Sequence, residues 1–430
     1  MRIITLFILF GIFIFSCEKR KNDDFVENKI DKLVKRYGEL KRFSGAIIVS
    51  KNDTIVYDSN FGLADYEHSK PFTNKTAFKI GILSEIITKN IVEELALKKK
   101  INLNDSISDY IPELNIKYTI QDLLNHQTHF PSTDILIEKL PDLEYNFIEP
   151  VNSYKDSIIN TNESAINYNI LGLLIERVSK KSFQENLDLY SDLLDLKNTH
   201  YSALDKNTAI GYQYHNYRNN GLELQKTSSP DLNVTLSSRG IKSTTKDLLK
   251  IAKYNDEKVI DVSGYMKNDG FSFSLYNNPK NETCIIILSN FRHPVAKEIT
   301  NGIDSILKGR PYKVPLKRQP FDINRNLLSD YEGKYALNKH INFDIITRND
   351  SLYTILGSKE VYLIPQSKNQ FYMPDRDAAL RFLTNDSGIV DRVELLDGFI
   401  KGQIAKRIKY VNKKNFNNYH RTDVFLLFRI

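Results

Sequence analysis

A chain of 430 residues with 41% hydrophobic and 26% charged residues, 18 Gly and 13 Pro has an ordinary globular composition. That excludes a disordered, collagen-like or multi-span membrane protein, because no polar stretch starves the core and only one long apolar run is present. Two cysteines cannot build a disulfide framework, and 60 Lys and Arg against 53 Asp and Glu leave a net +7 with no basic cluster in the sequence, which argues against a dedicated nucleic-acid binder. The length predicts two or three domains.

In chain order, Met1-Arg2, the run IITLFILFGIFIF and Ser16-Cys17 come first. One positive charge, about 13 apolar residues and a small residue make a secretory signal pattern, shorter than the ~20 residues that span a bilayer. The polar EKRKNDD after it reads as a tether. Residues 24–41 place Phe25, Ile30, Leu33, Val34, Tyr37 and Leu40 at helical spacing. SGAIIVSKNDTIVYDSNFG holds two β-branched runs around an Asn-Asp turn and predicts a hairpin. Helical periodicity returns over residues 82–97, 165–179 and near 295–308, and Asn104-Asp105 starts a turn before ISDYIPEL. GFSFSLYNN and TCIIILSN read as strands split by a Pro-Lys-Asn turn, with Cys284 a buried packing thiol. KGRPYKVPLKRQPFD is a linker. From about residue 325, short alternating runs (YEGKYAL, FDIITR, SLYTIL, EVYLIP, QFYMP, ALRFLT, VDRVELL) predict an antiparallel barrel or sandwich. The last twenty residues, polar and then VFLLFRI, fit either a closing strand or a poorly ordered end.

Ile14-Phe15-Ser16-Cys17 resembles the lipobox of bacterial lipoproteins, which implies acylation of Cys17, attachment to a lipid membrane and an exported body. The alternative is an uncleaved anchor.

Eight segments, in order, resemble the serine β-lactamase, penicillin-binding protein and esterase family in its class C-like branch. They are FSGAIIVSKNDTIVYDSNFGLADY at 43–66, KPFTNKTAFKIG at 70–81, ELALKKKINLNDSISDYIP at 94–112, TIQDLLNHQTHFP at 119–131, residues 168–179, LDLKNT at 194–199, AIGY at 209–212 and SRGIKSTTKDLLKI at 238–251. The resemblance covers roughly residues 24–308. It implies an α+β fold: a five-stranded antiparallel sheet flanked by helices, joined to a mostly helical subdomain, with the active site between them. Tyr331-Glu332-Gly333-Lys334-Tyr335 resembles the opening of the small β domain that often follows. The organisation expected is a signal peptide at 1–16, a lipid-anchored tether at 17–23, a β-lactamase-like domain at 24–310, a linker at 311–324, a small β-barrel-like domain at 325–410 and a tail at 411–430.

The family's chemistry needs a serine and, three residues on, a lysine that takes its proton. Alignment on FKIG puts these positions at Ile82 and Glu85, so the nucleophile is gone and the base has the wrong charge. Ser84 is two residues along, about 200° around a helix from Ile82, and is expected to point away from the cleft. The Tyr-x-Asn motif falls on Glu163-Ser164-Ala165, and the His- or Lys-x-Gly strand start before GFSFS is missing. His126 is kept in the Thr-His-Thr-Ser-Gly segment, whose glycine has become His129. Two literal Ser-x-x-Lys matches, Ser243 with Lys246 and Ser305 with Lys308, occur at chance frequency; Ser243 reads as a helix N-cap and Ser305 as a residue inside a helix. If the fold holds, Glu85 and Glu163 face each other as a carboxylate pair able to bind a cation or do acid–base work, or both turn to solvent.

The chain is therefore expected to be an inactive serine-hydrolase homologue, a pseudoenzyme with an envelope ligand or partner. Its rivals are a working hydrolase with relocated groups such as Ser84 or the glutamate pair, and a purely structural lipoprotein. No cofactor, metal or nucleic acid is expected.

Overall fold

The computed structural model describes residues 25–131, 148–153, 164–201, 207–217, 221–227, 236–255, 258–266, 269–292, 295–338, 341–356, 359–373, 378–396 and 402–409. The signal segment with Cys17, Glu163 and the tail at 411–430 lie outside the described residues. The chain forms two compact units, one of residues up to Tyr212 together with Lys226–Pro315, the other of Gln213–Gln225 together with the chain from Leu316 onward.

The first unit is built on a hairpin of β1 (Gly45–Lys51) and β2 (Thr54–Phe61). Asn52 and Asp53 turn it with positive φ, a conformation that Asn and Asp tolerate better than most residues. Short pairs follow: β3 (Leu63–Asp65) with β4 (Lys70–Pro71), and β5 (Phe78–Lys79) with β8 (Lys242–Ser243). A hairpin of β6 (Tyr212–Tyr217) and β7 (Gly221–Lys226), most of which groups with the second unit, has no counterpart in the sequence expectations. With β9 (Ile260–Met266), β10 (Phe271–Asn278) and β11 (Thr283–Ser289), the main sheet runs β2-β1-β11-β10-β9 and is antiparallel throughout.

Both faces of the central strands are buried, which is why GAIIVS and TCIIILS are continuous apolar runs rather than alternating ones. Ile47, Val49, Ile285 and Ile287 pack on one side against helix α1 (residues 25–39) and the C-terminal helix of this unit. Ala46, Ile48, Cys284, Ile286 and Leu288 face the other way into the larger core. Burial pushes the Cys284 thiol up to about 12.

That larger core contains α2 (Ser84–Leu97), α3 (Ile120–Leu124), α4 (Ala165–Ser179), α5 (Phe183–Leu193) and α6 (Thr245–Tyr254). α7 (Ala296–Leu307) joins α1 on the opposite face. Reciprocal capping fixes two helix starts, Thr119 with Asp122 at α3 and Ser182 with Glu185 at α5. At α6 the capping residue is Thr244, not Ser243 as the sequence predicts. Ser243 instead ends β8 opposite Phe78, and its buried hydroxyl lies 2.8 Å from that of Thr199.

In the second unit, β12 (Gly333–Ala336), β13 (Asn342–Arg348), β14 (Ser351–Leu356), β15 (Lys359–Pro365), β16 (Gln370–Met373), β17 (Ala378–Thr384), β18 (Val390–Leu395) and β19 (Ile404–Lys409) follow one another around a closed antiparallel barrel. Pairing of β12 with β19 closes it and decides between barrel and sandwich. Tyr331, Tyr335, Phe371 and Phe382 meet at its centre, with ring centroids 4.5 to 6.0 Å apart. Among the described residues no helix is long and apolar enough to cross a membrane.

Candidate functional site

The site is set by the turn from β5 into α2. Gly81 holds φ +54°, and a Cβ there would lie 2.6 Å from Phe273 Cε1 and 3.2 Å from Met266 Cγ. An aromatic ring from β10 and a thioether from β9 therefore cover the turn at contact distance. Phe273 also lies opposite Gly264 of β9. Next to them Lys79 and Asp269 form a largely buried ion pair at 2.7 Å.

Ile82, which alignment on FKIG expects at the family's nucleophile position, is half-buried in the 3-10 turn before α2 and packs on the main core. Ser84 is fully buried. Its hydroxyl accepts from the Ile241 backbone N–H at 3.3 Å, which ties the start of α2 to the entrance of β8.

Glu85 is also buried, and its carboxylate lies 3.0 Å from His126 Nε2. His126 leaves α3 in the left-handed conformation, φ +53°, which turns its ring toward α2 and α4. Its Nδ1 lies 3.1 Å from the Asn167 amide nitrogen, and the Asn167 carbonyl accepts from the Thr128 hydroxyl at 2.8 Å. With the amide placed this way, Nδ1 accepts and Nε2–H donates to the carboxylate. The result is one chain, Glu85–His126–Asn167–Thr128, closed at both ring nitrogens. The imidazole also packs on Tyr168 at 5.2 Å, whose hydroxyl donates to the Leu124 carbonyl. Burial first, then the Glu85 and Glu93 charges, raise the Tyr168 pKa.

Of the remaining sequence-predicted residues, Ala165 is the buried first residue of α4, and Ser164 caps that helix and donates to the Pro131 carbonyl. His129 is exposed beside the Tyr118 hydroxyl, 3.2 Å away. Glu163 lies outside the described residues, and with it the proposed pairing with Glu85. Lys246 pairs with Asp58, and Ser305 lies inside α7 with Lys308 on Asp304. The partner of Glu85 that sequence reasoning missed is His126, together with Asn167. Both residues were visible, but 41 positions of chain separate each link and no local pattern announces it.

A second group was not singled out by the sequence. Asp65, Glu67 and His68 have ligand-type atoms within 4.8 Å of one another. Their partners are internal: His68 Nδ1 and the Tyr212 hydroxyl on Asp65, and the Lys226 ammonium on Glu67.

The Beta-lactamase family model matches residues 30–305, and the chain belongs to that family. A teichoic acid D-alanine hydrolase of Staphylococcus aureus (strain MRSA252) is 30% identical over 197 residues, 43% of this chain and 48% of its own. The match thus spans about half the length of the curated relatives. FmtA from Staphylococcus aureus superposes with a TM-score of 0.56 at 21% identity, over 68% of this chain and 93% of that one. The octameric penicillin-binding protein homologue from Pyrococcus abyssi gives 0.56 at 18% identity over 88% and 99%. The fold is β-lactamase/transpeptidase-like, followed by a separate eight-stranded barrel, and the protein is serine-hydrolase-like in its scaffold.

Proposed function

We propose that this protein is an exported, lipid-anchored member of the family that has lost acyl-transfer chemistry and keeps its cleft for an envelope ligand or partner. The observation that carries the reading is Ile82 at the nucleophile position, with Ser84 buried and its oxygen committed to the Ile241 N–H. An acyl-enzyme needs an exposed nucleophilic atom and a base within reach of its proton. Ile82 has no such atom. The imidazole of His126 has both nitrogens engaged, which counts against the rival reading of a hydrolase run by relocated groups.

Exchange of the family's lysine for Glu85 also reverses the charge at the base position. That favours a ligand bearing an ammonium group over one bearing a carboxylate, such as a penicillin. D-alanyl esters, the substrate class in the name of the Staphylococcus aureus relative, carry a free ammonium group. The proposed ligand is a D-alanylated envelope polymer. Acylation of Cys17 would hold the protein at the membrane facing that polymer.

The test is to incubate the purified protein with a fluorescent penicillin, a fluorophosphonate and nitrophenyl esters, and to follow its melting temperature with D-alanylated and de-alanylated teichoic acid. No labelling, no turnover and a rise in melting temperature with the D-alanylated polymer alone are expected. Stoichiometric labelling that disappears in Ser84→Ala overturns the loss of chemistry. Equal melting temperatures with both polymers overturn the ligand and leave the purely structural reading.

A further inference from the structure

Two basic segments that are far apart in sequence meet in one layer of the first unit. α1 and α7 lie side by side on the face of the sheet opposite α2 and α4. Leu33 packs against Gly302, where a Cβ would come within 2.6 Å of it, and Arg36 Nε donates to the Pro315 carbonyl at 3.1 Å. Tyr37 and Arg42 both reach Glu298. The extended segment after α7 is thereby laid along α1. Residues 25–42 and 296–315 contain ten Lys and Arg against five Asp and Glu, and so carry +5 of the formal net +7.

The acidic groups of this layer are mostly spent inside it. Asp31 pairs with Lys35, Glu39 with Arg36, Glu298 with Arg42, and Asp304 with both Lys308 and Arg310. The layer's cationic groups are at the surface: Lys32 and Lys313 are exposed, as are the ion-paired Lys35, Lys308 and Arg310. Two large apolar side chains, Phe25 and Val314, are exposed among them, at 57% and 47%.

We propose that the α1–α7 layer is a membrane-docking face that lays these cationic groups on anionic phospholipid headgroups. Exposed cations on a single face are attracted to an anionic bilayer across about one Debye length, ~10 Å at 0.1 M salt. The exposed Phe25 and Val314 can enter the headgroup boundary beside them. Chain length agrees with this geometry. Phe25 is eight residues beyond Cys17, a reach of about 28 Å at most, so an anchor at Cys17 would keep this face next to the bilayer. The inference does not depend on that anchor, since the charge layout stands without it. Its consequence for function is orientation. The turn at Ile82 and the helices α2 and α4 lie on the far side of the sheet, so docking by the α1–α7 layer points the cleft away from the membrane.

Lysine footprinting of the purified full chain tests this. The protein is mixed with vesicles of phosphatidylcholine alone or with about one third phosphatidylglycerol, acetylated briefly with a water-soluble reagent, and read by peptide mass spectrometry. Labelling of Lys32, Lys35, Lys308 and Lys313 is expected to fall several-fold on the anionic vesicles only, and to recover at about 1 M NaCl, where the Debye length is about 3 Å. Lys98, Lys99 and Lys180, exposed on the helical side, keep their labelling. Lys32→Glu combined with Lys313→Glu is expected to abolish the protection of Lys35 and Lys308. Equal labelling on both vesicles, or protection of Lys98, Lys99 and Lys180 instead, overturns the proposal. The mass of the peptide carrying Cys17, read in the same experiment, reports acylation separately.

Discussion

At the scale of single residues, the candidate site buries a carboxylate that the protein accommodates internally. Glu85, where alignment on FKIG expects an amine, is a buried carboxylate, and burying it without a partner would be strongly unfavourable. His126 supplies the donor, Asn167 holds the imidazole, and Thr128 holds the amide. Glu85→Ala leaves the Nε2–H of a mostly buried ring without an acceptor, so a loss of about 1–3 kcal/mol of stability is expected in denaturant melts. His126→Ala is expected to cost a similar amount. Because the two residues act on one contact, the double variant should fall short of the sum by on the order of 1 kcal/mol. Strict additivity would show that the contact contributes nothing and that the carboxylate is held by other groups.

At the scale of elements, the turn into α2 carries the candidate site, and it tests whether the Phe273 ring closes that turn. Gly81 has a left-handed φ and no room for a Cβ under Phe273. Gly81→Ala therefore combines backbone strain of about 1–3 kcal/mol with an overpacking penalty of about 1–3 kcal/mol. In a Phe273→Ala background the backbone part and the tight Met266 contact should remain, and the difference between the two measured losses isolates the contact with the ring. An unchanged loss in that background would mean that the ring is not what closes the turn. Much of this element-level picture was legible in sequence. α4 coincides with the amphipathic run at 165–179, the β1–β2 hairpin with its Asn-Asp turn, and α7 with the helix near 295–308, because each has its periodicity or turn chemistry within a single window. The register of FKIG put Ile82 and Glu85 at the start of a helix, and the structure has them in the turn into α2 and in its first turn. β9 was not readable: its residues IDVSGYM alternate weakly at the edge of the sheet, and their pairing with β10 is fixed by tertiary context. The link from Glu85 to His126 was hidden for a related reason, since it forms only when α2, α3 and α4 are packed. Ser243 was misread as a cap because Thr244 beside it has the same chemistry and the right backbone position.

At the scale of the whole molecule, the alternating runs after residue 325 announced a β domain, but closure depends on strand number and stagger, which no single run contains. Once closed, the barrel has its own core, and that core shares no residue with the two that sandwich the main sheet. Phe382 is nearly fully buried in it and touches Tyr331, Tyr335 and Phe371. Phe382→Ala removes a ring from the centre of that cluster, with an expected loss of about 3–5 kcal/mol. If each core stabilises its own unit, the damage is local: peptide-resolved hydrogen exchange should accelerate across β12–β19 while the amides of β1, β10 and β11 keep their protection. Exchange that rises equally in the central strands of the sheet would mean that the units unfold as one, and that the scaffold around Ile82 depends on the barrel for its stability. Local acceleration would place the integrity of the remodelled cleft in the first unit alone.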